Sequence, residues 1–550
     1  MRTALARVVG RRAASAPPRA LFAAAAVSAL LSLVPLLYLA VRAGDAGWQR
    51  TADMLLRPRT LETVGTSVAL VAVVATACLL IGVPTAWLVA RTDLPGQAAW
   101  LALLALPLAV PSYVAAYAWL AQFPAMNGFW AAALLLTLVS FPYVVLPVSA
   151  ALRAADPAFE EVARTLGRGP VRAFTTATLP QVWPAAAGGA LLVALYVLSD
   201  FGAVALMRVD AFTRVIYSSY RASFDRIGAT VLALVLVALA VALLTAEHRV
   251  RGQARRWRAG SGSPRDNVPV PIGGAARAGA VCWLSALIAA ALGVPLVSLT
   301  LRMIEGSRTP LDIAELASAA LTSLGVAAAG AALAVLLALP VGILAGRYRS
   351  PAVRAVETLA FTGHALPGVV VGLSLVFLTL AILPAAYQTV AVLAFAYAVL
   401  FGPKAIGATR SATAAVPPVL EQTARTLGRG PLRAWAQTTL PLTLPGIAAG
   451  GLIVLLTAMK ELPATLMLRP TGMDTLATEL WSRTEVAAYG SAAPYAMALV
   501  ALAAIPAWLL SRSVAIGPDP VGSISRTGSM SRTGSMSRTG SMSRSPEGSA

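Results

Sequence analysis

The sequence predicts an all-α polytopic membrane protein of about twelve transmembrane helices, arranged as two homologous six-helix halves. Three observations carry this expectation: the composition, the lengths of the apolar runs, and an internal repeat. Hydrophobic residues fill 58% of the 550 positions and charged residues 12%, with a mean hydropathy of +0.75. Soluble domains carry about a quarter of their residues as charges. Several apolar runs reach the roughly 20 residues that cross a ~30 Å hydrocarbon core as a helix.

The expected spans fall near 21–42, 66–90, 98–120, 129–152, 183–207 and 227–247 in the first half. In the second they fall near 278–302, 321–346, 356–383, 388–409, 444–468 and 491–511. An even number places both termini on one side of the membrane. The first 20 residues hold five Arg and no acid, which makes that side cytoplasmic. The apolar run at 21–41 exceeds the 7–15 residues of a signal-peptide core, so it reads as a span.

The net charge of +20 comes almost wholly from Arg; the only lysines are Lys404 and Lys460. The basic residues gather in the loops of one side, roughly 30 inside against about 10 outside, as the positive-inside rule requires. The charge therefore reports topology and excludes a nucleic-acid partner. Cys78 and Cys282 lie in apolar runs, and His248 and His364 stand far apart in sequence. Neither pair suggests a disulfide framework or a metal site.

These features divide the chain into a cytoplasmic segment 1–20, a first transmembrane domain 21–247, a linker 248–277, a second transmembrane domain 278–511 and a tail 512–550. The linker carries seven Arg and the loop-forming stretch Gly260-Ser261-Gly262-Ser263-Pro264. The tail repeats Ser-Arg-Thr-Gly-Ser-Met from Ser525, Ser531 and Ser537. Its few aliphatic residues cannot offset the entropy of ordering, so it is expected to be disordered.

The internal repeat is the most informative feature. Residues 160–170 read EEVARTLGRGP and residues 421–431 read EQTARTLGRGP, an offset of 261 residues from Gly167 to Gly428. In the same register Leu179-Pro180 recurs as Leu440-Pro441, Pro184 as Pro445 and Pro142 as Pro403. The repeated block occupies the longest loop of each half, between its fourth and fifth spans. Asp156 and Pro157 suit the start of a short helix. Gly167 and Gly169 stop it, and Pro170 restarts the chain. The second copy uses Pro417, Pro418, Gly428, Gly430 and Pro431.

This loop resembles the EAA loop of binding-protein-dependent ABC importer permeases of type I. That pattern is Glu-Ala-Ala, three residues, Gly, and a later Leu-Pro. The matching residues are Glu161, Ala163, Gly167 and Leu179-Pro180, then Gln422, Ala424, Gly428 and Leu440-Pro441. Val162 and Thr423 depart from the pattern, as does Gln422, for which Glu421 one position earlier is the alternative acid. The resemblance implies that Glu160, Glu161, Ala163 and Gly167, with Glu421, Gln422, Ala424 and Gly428, form loops that dock on an ATPase. Arg164 and Arg168 could pair with acids in its groove. An interfacial amphipathic helix without a partner would not need to recur with identical residues. The partners implied are ABC ATPase subunits in two copies, an extracytoplasmic substrate-binding protein and the lipid bilayer.

A P-loop needs Gly-Lys-[Ser/Thr] to hold phosphates, and neither lysine follows a glycine. ATP and Mg²⁺ are therefore expected on a separate subunit, and no cofactor, metal or catalytic residue is expected in this chain.

The stretches PLAVPSYVAAYAWL at 107–120, LSDFGAVALM at 198–207 and MKELPATLMLRP at 459–470 look like those of iron(III)-type permeases with fused halves. Ferric iron is the cargo this implies. Thiamine permeases share the fused plan; sulfate, molybdate, phosphonate and polyamine permeases share the loop. A secondary transporter also fits twelve helices in two repeats, but an ion-coupled carrier has no ATPase to dock.

Asp200, Lys460 and Glu461 are ionisable residues expected about two-thirds along the fifth and eleventh spans. Charges at such depth are costly and usually face a cavity or a partner. They are candidates for a pathway or gate, with a structural ion pair near the outer boundary as the alternative. Small Gly189 and Gly450, equivalent in the repeat, are expected to permit close helix packing.

Overall fold

The computed structural model describes residues 17–221, 226–254, 269–306 and 312–515. The Ser-Arg-Thr-Gly-Ser-Met repeats, residues 1–16 and residues 255–268 of the expected linker lie outside these. Among the described residues, regular structure is helical apart from one bridge between Thr92 and Val270.

All twelve expected segments are helical, but they differ in form. Among the described residues nine helices are long and apolar enough to cross a membrane, and a tenth span is a bent pair. The expected ninth and twelfth spans correspond to the shorter apolar helices Gly368–Ile382 and Tyr489–Ala503. At the expected linker, the helix Arg226–Ala254 runs past position 248 and the next helix already begins at Gly274.

Four spans expected to be continuous are broken. The third divides into Gln97–Ala109 and Ser112–Gln122, bent by 89°. The ninth divides into Pro351–Phe361 and Gly368–Ile382. Both breaks fall on the residue before a proline, where the ring clashes with a helical backbone. Val110 adopts φ −82°, ψ 123° ahead of Pro111, and Leu366 φ −85°, ψ 121° ahead of Pro367. The fifth span ends at Ser199 and resumes as the short helix Gly202–Leu206. The eleventh ends at Ala458 and resumes as Pro463–Leu468. Asp200 and Glu461 therefore sit at chain breaks, not within helices.

The first helix of each half packs on the other half. Arg19–Ala46 lies against Ile313–Arg347 and Pro351–Phe361, and Tyr38 Oη donates to Phe377 O at 3.0 Å. Val294–Gly306 lies against Ser112–Gln122, with Ser298 Oγ donating to Ala118 O at 2.6 Å. This exchange ties the halves into one body. Lipid offers helices no hydrophobic reason to associate, so close approach by small residues matters. A Cβ on Gly189 would stand 2.6 Å from Tyr143 O, and one on Gly450 would stand 2.7 Å from Ala408 Cβ. Large apolar side chains such as Leu80, Trp130, Leu321 and Leu336 remain exposed, which suits a lipid-facing surface.

Candidate functional site

The first loop helix, Ala158–Thr165, starts where Asp156 Oδ1 accepts from the Ala158 backbone N–H at 3.0 Å. It ends in a Schellman turn: Gly167 N–H donates to Arg164 O at 2.9 Å and Arg168 N–H to Ala163 O at 3.1 Å. The second loop helix, Pro418–Thr426, repeats this with Gly428 N–H to Arg425 O at 3.1 Å and Arg429 N–H to Ala424 O at 3.2 Å. Gly167 and Gly428 have φ of 79° and 82°, the left-handed region where a Cβ is disfavoured. Nothing lies within 4 Å of a Cβ at either position. Backbone conformation, not crowding, requires glycine there.

After each loop helix the chain returns to the bundle through a π-helical turn, Phe174–Thr178 and Trp435–Thr439. Each turn closes on a threonine that faces the acid of the loop helix. Glu160 is buried, and its carboxylate accepts from Arg91 Nη2 at 2.7 Å, Arg164 Nη2 at 2.9 Å and Thr178 Oγ1 at 2.9 Å. Arg91 is the last residue of the long helix Pro58–Arg91. A clasp of arginine, glutamate and threonine thus fastens the loop helix to the bundle.

The second half builds the same clasp with Arg347, which ends Ile313–Arg347, together with Glu421 and Thr439. It is looser. Arg347 Nη2 lies 4.0 Å from Glu421 Oε2 and 3.2 Å from Thr439 Oγ1, which is 3.5 Å from that carboxylate. Arg347 Nη1 also donates to Val416 O at 2.8 Å.

Glu160 and Glu421 are therefore the acids that face the bundle. Glu161 and Gln422, the motif positions, are exposed, while Ala163 and Ala424 are buried. The open surface of the first loop carries Phe159, Val162 and Leu166; that of the second carries Val419, Leu420 and Leu427.

The second feature is a cavity of about 570 Å³ between the halves. All four helix breaks meet there, contributing Val110-Pro111, Asp200-Phe201, Leu366-Pro367 and Glu461-Leu462 to its lining. Broken helices at the interface of two repeats are a recurring way to build a site at membrane depth. The carboxylates of Asp200 and Glu461 cap the short helices behind the breaks. Asp200 Oδ2 accepts from Ala203 N at 2.9 Å and Val204 N at 3.4 Å. Glu461 Oε1 accepts from Ala464 N at 3.0 Å, and its Oε2 accepts from Thr465 N at 3.0 Å and Thr465 Oγ1 at 2.8 Å. Lys460 Nζ donates to the backbone oxygens of Leu108 and Ala109, both at 3.3 Å.

Lys404 also lines this cavity, with Nζ donating to Thr457 Oγ1 at 2.9 Å. Lys404 and the two arginines of the clasps were not singled out as site residues from sequence. The 261-residue register could have flagged Lys404, because it sets Lys404 opposite Tyr143 just as it sets Lys460 opposite Ser199. The arginines escape that register. Arg91 and Arg347 stand 256 residues apart, so a five-residue shift in the repeat hides their equivalence.

Two repeated helical halves, exchanged first helices and a cavity at their shared breaks define a membrane permease. The chain belongs to the family described as the binding-protein-dependent transport system inner membrane component, whose model matches residues 79–247 and 338–515. It is a multi-pass inner-membrane permease of the ABC importer class, with two permease halves fused in one chain. It is 34% identical to the Fe(3+)-transport system permease protein FbpB 2 of Haemophilus influenzae over 87% of this chain and 95% of that protein. The molybdenum transport system permease protein ModB of Escherichia coli is 33% identical over 32% of this chain and 87% of its own length. The molybdate/tungstate transport system permease protein WtpB of Thermococcus kodakarensis is 28% identical over 34% of this chain and 76% of its own.

Proposed function

We propose that this chain forms the pathway by which ferric iron, delivered by an extracytoplasmic binding protein, is imported at the expense of ATP. The observation that carries the cargo is the similarity to an Fe(3+)-transport permease along nearly the whole of both chains. The relatives named for molybdenum or molybdate match only about a third of this one. The cavity at the four breaks is the candidate pathway, with Asp200, Lys460 and Glu461 at its wall or gate.

ABC ATPase subunits, one per loop, dock on the two loop helices and carry the ATP and Mg²⁺. Exposed apolar side chains flanked by Arg164, Arg168, Arg425 and Arg429 suit a groove with an apolar floor and acidic rim. The termini and residues 248–277 face the cytoplasm, so a cysteine at position 260 should react with an impermeant thiol reagent only after the cells are opened. The functional test is uptake of radioactive ferric iron into proteoliposomes holding this chain, its ATPase and its binding protein. Uptake should require ATP and ignore a pH gradient. Uptake by this chain alone, driven by a pH gradient, would overturn the reading.

A further inference from the structure

Lys404 and Lys460 are the only lysines of the chain, and both line the same cavity at membrane depth. Both come from the second half. In the 261-residue register the first half offers Tyr143, Tyr196 and Ser199 where the second offers Lys404, Thr457 and Lys460, and all six line the cavity. Intramembrane charges are costly and mark function unless a structural partner accounts for them. Neither ammonium is spent on a carboxylate. Lys404 uses one N–H on Thr457 and Lys460 reaches two backbone oxygens, although each ammonium carries three donors.

The nearby acids do not cancel this field by contact. Asp200 and Glu461 direct their oxygens at backbone N–H groups of the short helices. The hydroxyls of Tyr143 and Ser199 also line the wall, while that of Thr457 already donates to Ile453 O at 2.7 Å. The lining thus carries two ammonium groups with N–H donors to spare and two carboxylates whose oxygens already accept from donors of the short helices. An anion entering the cavity would find two ammonium groups that have no carboxylate partner.

We propose that Lys404 and Lys460 form an anion site in the pathway, which takes a small hard-oxygen anion such as phosphate, carbonate or citrate. This rests on the ferric reading in one respect: the anion's natural source is the coordination shell of the iron, so that ion and anion cross together. A free oxyanion has the same chemistry, and the experiment separates the two.

The test uses the full complex in proteoliposomes with binding protein loaded with ⁵⁵Fe(III) and [³²P]phosphate, alongside dialysis of the complex against [³²P]phosphate alone. The wild type should accumulate both labels in near-equal amounts. Lys404→Gln with Lys460→Gln should lower phosphate retention and ⁵⁵Fe uptake at least ten-fold, and Lys404→Arg with Lys460→Arg should keep much of both. Single Lys→Gln variants, expected to be intermediate, serve if the double variant inserts poorly. Lysine-dependent binding of phosphate alone would assign the site to free oxyanions, and binding only with iron to the companion anion. If the wild type takes up no ⁵⁵Fe but still binds phosphate through the lysines, the ferric reading fails and the anion site stands. Equal labels in wild type and an inserted, ATPase-bound double Gln variant would overturn the anion site.

Discussion

Glu160→Gln tests the clasp that fastens the first loop helix to the bundle. The substitution keeps the shape of the side chain and removes its charge. Two buried bonds to the carboxylate are at stake, from Arg91 at 2.7 Å and Thr178 at 2.9 Å. A hydrogen bond to a charged group contributes about 1.5–3 kcal/mol, and breaking a buried ion pair costs about 3–5 kcal/mol. The pair with Arg164 adds little, because that arginine side chain is 48% exposed. A loss of about 3–5 kcal/mol raises the undocked fraction of the loop helix by more than a hundred-fold, at about 1.4 kcal/mol per factor of ten. The second clasp supplies the control. Glu421 is 4.0 Å from Arg347 with its side chain 27% exposed, so Glu421→Gln should cost about 1 kcal/mol or less. Hydrogen exchange on the purified membrane protein reads both directly. Amides of 158–165 should lose protection strongly in the first variant, and those of 418–426 only slightly in the second. Equal, small changes in the two loops would refute the reasoning from burial and distance.

Three further outcomes are expected. Gly167→Val and Gly428→Val should each cost at least about 1–2 kcal/mol from the left-handed backbone alone, and uptake should fall while the spans still insert; Gly→Asn at the same positions should be mild, since Asn tolerates that region, and equal uptake by the Val and Asn forms would contradict this. Glu161→Gln should reduce co-purification of the ATPase by removing a charge-assisted contact of about 1.5–3 kcal/mol, whereas Gln422→Ala should leave it nearly unchanged. The Asp93 carboxyl is held below the usual carboxylate range, first by the Ile272 backbone N–H and further by Arg277. A lowered folded-state value contributes stability above the unfolded value of about 3.9, lost as pH falls through the folded one; protection of the Val270 and Ile272 amides should therefore be flat at neutral pH, fall on acidification below about 4, and be weak throughout in Asp93→Asn.

Much of this protein was determined by the sequence acting locally. Membrane depth demands about 20 apolar residues in a helix, so twelve segments could be read from runs of residue types. Duplication leaves a linear record, so the loops and their glycines were legible too, and the left-handed φ at Gly167 and Gly428 follows from a stop between two helices. The breaks were not legible in the same way. Pro35, Pro84, Pro147, Pro184, Pro340, Pro403 and Pro445 all lie inside continuous helices, while Pro111 and Pro367 open gaps. A proline's local clash is the same in each case; whether the helix bends through or breaks depends on what neighbouring helices supply to the freed backbone groups, which only packing decides. The same holds for the acids. From sequence Glu160 and Glu161 differ by one position, but that step turns one carboxylate toward Arg91 and leaves the other exposed. Arg91, Glu160 and Thr178 are separated by 69 and 18 residues, and the two lysines of the second half reach one cavity from a helix and from the break in another. Such meetings depend on distances between elements, which no linear pattern encodes.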